Sequence, residues 1–148
     1  MLRAAALIAI AVLLAGCGSS GPKASHTVVE TSKAFSEAGI PFTSVVTSNP
    51  YVTGQQVFLP LSLNGSALSL NVLAQLNGSD TATHNGWIAW VFDSDAHAQD
   101  AVQQVPLDKW GQGEAKITRA IKGNVIVVAS GFAGSEKKPL DDALAALD

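Results

Sequence analysis

One cysteine and one methionine make up the whole sulfur content of the 148 residues, and the methionine is Met1. A single thiol closes no internal disulfide. It also leaves no Cys-x-x-Cys redox pair, thiolate zinc site or soft copper site. Charge is equally sparse, at 14% of residues against roughly 25% in an average soluble domain. With hydrophobic residues at 47%, charge-driven disorder is excluded. The net charge is −3 and no basic run is present to neutralise phosphates, which argues against a nucleic-acid partner. Also missing are a Gly-x-Ser-x-Gly elbow, a His-Glu-x-x-His pair and a Walker-type lysine loop. The expectation is a protein without catalytic residues, cofactor or metal.

What is present begins with a leader. Met1-Leu2-Arg3 carries one positive charge, and Ala4 to Ala15 is an unbroken apolar stretch of 12 residues. A membrane-spanning helix needs about 20 apolar residues. The stretch therefore reads as a cleaved secretory signal over residues 1–16. It ends in Leu14-Ala15-Gly16-Cys17, which resembles the lipobox of bacterial lipoproteins: a branched residue, two small ones, then cysteine. The resemblance implies cleavage before Cys17, a diacylglyceryl group on its thiol and acylation of the new amino group. Two or three acyl chains hold a protein on a membrane where one does not, since each buried methylene contributes about 0.8 kcal/mol. The partner so implied is the membrane itself, with the folded part outside the cytoplasm. Lipidation also accounts for a lone cysteine outside the cell.

Residues 17–25 then read as the lipidated cysteine and a flexible tether, Gly18-Ser19-Ser20-Gly21-Pro22 being its loosest part. Gly16, Gly18 and Gly21 satisfy the spacing of a dinucleotide loop by accident, because no strand precedes them and Gly16 leaves with the leader. Residues 26–148 are long enough for one domain.

Within that domain, apolar spacing from Thr27 to Ala38 predicts a helix capped by Ser25 and stopped at Gly39-Ile40-Pro41. A short strand is expected over 42–47. Asn64-Gly65 suits a type I′ hairpin that sets Leu61 opposite Leu68, Leu59 opposite Leu70 and Val57 opposite Val72, with Ser69, Asn71 and Gln75 on a wet face. Residues 77–86 read as a polar loop. Trp87 to Phe92 is apolar on both faces and reads as a central strand. Asp93-Ser94-Asp95 caps a helix with a stripe of Ala98, Ala101, Val102 and Val105. A second hairpin turns at Gly123-Asn124, and Leu140, Ala143, Leu144 and Leu147 stripe a last helix. The sum is an α+β domain, an antiparallel sheet of about five strands with helices packed on one face. The run from Trp87 to Val105 and the closing 117–147 also resemble small lipoproteins of unassigned function, a likeness that transfers no activity.

Candidate sites are few. Asp93, Asp95, His97 and Asp100 form the densest polar cluster. They open like a calcium loop, but Ala98 stands where the sharp turn needs glycine and Gln104 where a glutamate closes the cage. Helix capping competes with a cation or hydrolase site there, and His97 and Asp100 are spaced to pair. His84 reads as a loop residue and His26 as frayed tether. Arg119 shares a strand face with Ile117 and Ile121, so either its stem runs along the core edge or its guanidinium serves an anion groove. Trp87 and Trp110 either cover apolar surface or form a binding face. Asn64-Gly65-Ser66 and Asn77-Gly78-Ser79 match glycosylation sequons but read as turns. Two functions are thus expected: a lipid-anchored module that binds an envelope protein or component, or a small-molecule carrier or sensor built around Trp87, Trp110 and Arg119.

Overall fold

The structure, a computed structural model, describes residues 21, 23–40, 42, 44–47, 71–80, 82–83, 85–110 and 116–148. The Asn64-Gly65 hairpin, His84 and the leader with Cys17 lie outside these residues. The described chain is α+β with one open antiparallel sheet. Its body is four strands: β2 (Val72–Asp80), β3 (Asn85–Phe92), β4 (Ile117–Lys122) and β5 (Val125–Ser130). A four-residue strand, β1 (Ser44–Thr47), pairs with β2 at one edge, giving the order β1-β2-β3-β5-β4. The helices are α1 (Val28–Glu37), α2 (Asp95–Gln104) and α3 (Lys137–Ala145).

Cover on one sheet face only was expected, and the structure overturns it. Phe35 of α1 and Leu140, Ala143 and Leu144 of α3 pack on Leu76, Trp87, Ala89, Val91 and Val127. Ala98 and Ala101 of α2, with Trp110, pack on Trp90, Phe92, Ile126 and Val128 on the opposite side. The cause is visible in β3 and β5: both are apolar at odd and even positions alike, and a strand buried on both faces needs a layer on each.

Three other expectations change. Residues 77–86 are mostly strand: β2 continues to Asp80 and β3 begins at Asn85, with Asn77 opposite Ile88 and Asp80 opposite Asn85. Backbone pairing needs no apolar side chain, so a polar hairpin end can project past the helices. Asn77-Gly78-Ser79 is therefore strand, not turn. Gln75 is buried, not wet. Val72 pairs with Phe92 and Ala74 with Val91, so the ladder shifts at Leu73, which is left 46% exposed. Past this irregularity Ala74 and Leu76 join the α1/α3 side, and Gln75 turns under α2, where its Oε1 accepts from Trp90 Nε1 at 3.1 Å. Finally, Thr27 rather than Ser25 caps α1. Glu30 stands three residues on: its carboxylate accepts from the Thr27 backbone N–H, and its own N–H donates to Thr27 Oγ1.

Other elements stand as the pattern implied. Gly39 takes φ +78°, and its N–H and that of Ile40 donate to the carbonyls of Ser36 and Phe35, closing α1 while Ile40 folds into the core. Gly123-Asn124 turns the β4–β5 hairpin with Gly123 at φ +54°. The α3 stripe is buried as expected.

Candidate functional site

The polar end of the β2–β3 hairpin overhangs the α1/α3 layer and opens a cleft of about 230 Å³. Trp87 forms its aromatic wall, Ile40 and Phe132 its other apolar surfaces, and Asp80, Asn85 and Glu136 its polar side. Packing fixes the wall: the Trp87 ring stacks on Phe35 with centroids 4.2 Å apart and meets Phe42 edge-on at 5.4 Å. Trp87 is otherwise covered, at 3% exposure.

Asn85 is the pivot of the polar side. Its Nδ2 donates to Glu136 Oε2 at 2.8 Å, which also fixes which end of the amide is which, since a carboxylate cannot donate back. Asn85 Oδ1 is then buried and accepts from no donor. A buried acceptor left unmet costs about 1–3 kcal/mol, so such a group points to a ligand-facing role more readily than to stability. Asp80 Oδ1 accepts from Ala82 N–H, turning the hairpin tip.

The three residues expected to share a binding site do not all meet. Trp87 lies on the α1/α3 side, whereas Trp110 is fully buried on the α2 side, its ring edge-on to Trp90 at 5.1 Å and its Nε1 donating to Val105 O at 2.8 Å. Arg119 Nε donates to the Trp110 carbonyl at 2.6 Å, so its guanidinium braces the loop that carries this tryptophan.

The acidic cluster around α2 comes together only in part. His97 Nδ1 lies 2.5 Å from Asp93 Oδ1, one helical turn before it, rather than against Asp100, which is exposed. Ser94 is the cap, its buried hydroxyl accepting from His97 N–H and donating to Asp93 Oδ1. Among the described residues no three His, Cys, Asp or Glu side chains gather to hold a metal.

Asp95 does something the sequence did not disclose: it holds the segment that precedes α1. Its carboxylate accepts from Ser25 N–H at 2.8 Å and Ser25 Oγ at 2.6 Å, and its own N–H donates to Lys23 O. His26 is not frayed either, since its backbone is bonded twice to the Asn124 amide. Gly123 makes room for this arrangement, because a Cβ there would stand 2.5 Å from Ser25 Cβ. Burial pushes the Asp95 carboxyl up, but the two Ser25 hydrogen bonds outweigh it and hold the group below its ordinary 3.8. A depressed carboxylate contributes stability that is complete above its unfolded value and fades as pH falls through its folded one. Comparing the native protein with Asp95→Asn, the stability gap should be constant at neutral pH and close as the pH drops below 3.8. Urea unfolding from pH 7 to 2.5 measures this; a gap unchanged in acid would mean that the Ser25 clasp contributes nothing.

No family model, curated protein or solved structure matches the chain. Among the described residues no helix is long and apolar enough to cross a membrane.

Proposed function

We propose that this is a lipid-anchored binding module of a bacterial envelope, held outside the cytoplasm by acyl chains on Cys17 and using the cleft over Trp87 as its recognition site. The observation that carries the anchor is Leu14-Ala15-Gly16-Cys17 at the end of an apolar leader, with no second cysteine in the chain. The clasp on Lys23 and Ser25 bears on it. Among the described residues the first one held on the folded part is Lys23, six residues after Cys17, and six residues span at most about 21 Å even when fully extended. An anchor at Cys17 then keeps the folded part close to the lipid headgroups.

Binding is favoured over catalysis because Asp95 is taken up by Ser25 and Asp100 stands exposed, which leaves His97 with Asp93 alone. A cleft of about 230 Å³ falls below the roughly 300–1,000 Å³ of sites that enclose a drug-sized ligand. It suits one functional group: a very small molecule, or one side chain of an envelope protein. Cys17→Ala tests the anchor. Labelled fatty acid should no longer be incorporated, and the protein should leave the membrane fraction without detergent. Retention of the variant on membranes would refute lipid attachment at this residue.

A further inference from the structure

We infer that the cleft over Trp87 recognises an alkylammonium group, a primary amine on a short aliphatic stem. The inference rests on the reading of that cleft as the recognition site. Its polar side is built of acceptors. Asp80 and Glu136 are carboxylates, Glu136 Oε2 is committed to Asn85 Nδ2, and Asn85 Oδ1 is an amide oxygen with no donor. Asn85 is 8% exposed and this oxygen is closed to water, so what meets it must push in beside Glu136. No basic side chain lines the cleft among the described residues. Lys137 and Lys138, next in sequence to Glu136, turn instead to Asp141 and Asp142.

An ammonium has three N–H donors and no acceptor, which matches a wall of oxygens. The opposite wall, Trp87 with Ile40 and Phe132, is apolar and gives a methylene stem somewhere to lie. A bare divalent ion fits less well: half the lining residues have no side-chain oxygen, and no three metal-binding side chains converge among the described residues. A carboxylate or phosphate ligand would face two like charges.

The same chemistry is carried by a free alkylamine and by the lysine side chain of a protein. The test titrates the mature lipoprotein in detergent and follows the Trp87 indole N–H by NMR. The probes are pentylammonium, pentanol, pentanoate and Nα-acetyl-lysine methylamide. Pentylammonium should shift that signal saturably while the Trp90 and Trp110 signals stay, and at least ten-fold more tightly than pentanol or pentanoate. Binding of the lysine derivative as well supports a protein partner; binding of pentylammonium alone supports a free amine. Glu136→Gln keeps an acceptor for Asn85 Nδ2 and should weaken amine binding about ten-fold by removing the charge. Asp80→Asn, which keeps the turn acceptor for Ala82, gives a second reading should the first variant lose its fold. Pentanol or pentanoate binding as tightly would overturn the charge assignment and leave the cleft as a site. No probe moving the Trp87 signal would overturn the cleft itself.

Discussion

Trp110→Ala is expected to lower the unfolding free energy by about 3–5 kcal/mol, the range found when a large aromatic is removed from a closed core. Trp110 has 0% exposure and lies where three parts of the α2 side meet. Its ring stands edge-on to Trp90, its Nε1 satisfies the Val105 carbonyl that ends α2, and its own carbonyl takes the Arg119 Nε–H. Truncation leaves a cavity, an unmet Val105 oxygen and a loop that no longer presents its carbonyl to Arg119 in the same place. Trp110→Phe separates these effects. It keeps most of the apolar area and loses the indole N–H, so it should cost about 1–2 kcal/mol. Urea unfolding of both variants is the measurement. A loss under 1 kcal/mol for the alanine variant would show that the segment after α2 is not part of the cooperative core. The result also bears on function, because a residue that stabilises by this much from inside the core has no surface left for a partner.

The sequence announced Trp110 as an aromatic in a glycine-rich loop, and nothing in local pattern distinguishes a loop tryptophan that folds under a sheet from one that faces water. The same limit applies to Gln75. Strict alternation from Val72 puts it on the wet face, and only the irregularity at Leu73, a backbone event with no residue signature, turns it under α2. Elements whose logic is local were legible: the Gly39-Ile40 helix stop, the Gly123-Asn124 turn, the apolar α3 stripe and the doubly apolar β3. That last feature already implied helices on both faces, since half of Trp87 to Phe92 would otherwise be wet. The cleft was not legible. Its Asn85 and Glu136 are 51 residues apart, and both read as ordinary polar positions until the hairpin end is laid over the start of α3. Trp87 was singled out, but with partners that belong to the other side of the sheet. For Asn124 and Asp95 the signal was present and misassigned. The sequence marks Asn124 as a turn residue and Asp95 as a cap or a member of the acidic cluster, because hydrogen bonds spanning 98 and 70 residues leave no trace in spacing.

Asn124→Ala should be nearly as costly as loss of the tryptophan, at about 3 kcal/mol, although it deletes few atoms. The side chain has 0% exposure and is used at both ends. Nδ2 donates to His26 O at 2.8 Å and Phe92 O at 2.6 Å, and Oδ1 accepts from His26 N–H at 2.8 Å. One amide therefore ties the β4–β5 turn to the end of β3 and to the chain arriving from Cys17. Alanine leaves two carbonyls and one N–H in need of water where the native packing admits little. Asn124→Asp tests whether shape or hydrogen-bond polarity matters. It can still accept from His26 N–H, but at neutral pH it sets a carboxylate against the two carbonyls, so it should be at least as destabilising as alanine and should recover in part on acidification as the carboxyl gains a proton. Amide hydrogen exchange at His26 reads the local effect: in Asn124→Ala its N–H should lose protection, while the Phe92 N–H, which donates to the Asn124 backbone carbonyl, keeps its partner, and the N-terminal segment should come free as far as the Thr27 cap of α1. If His26 kept its protection in this variant, the Ser25–Asp95 clasp alone would be holding the segment, and the role assigned to Asn124 would be wrong.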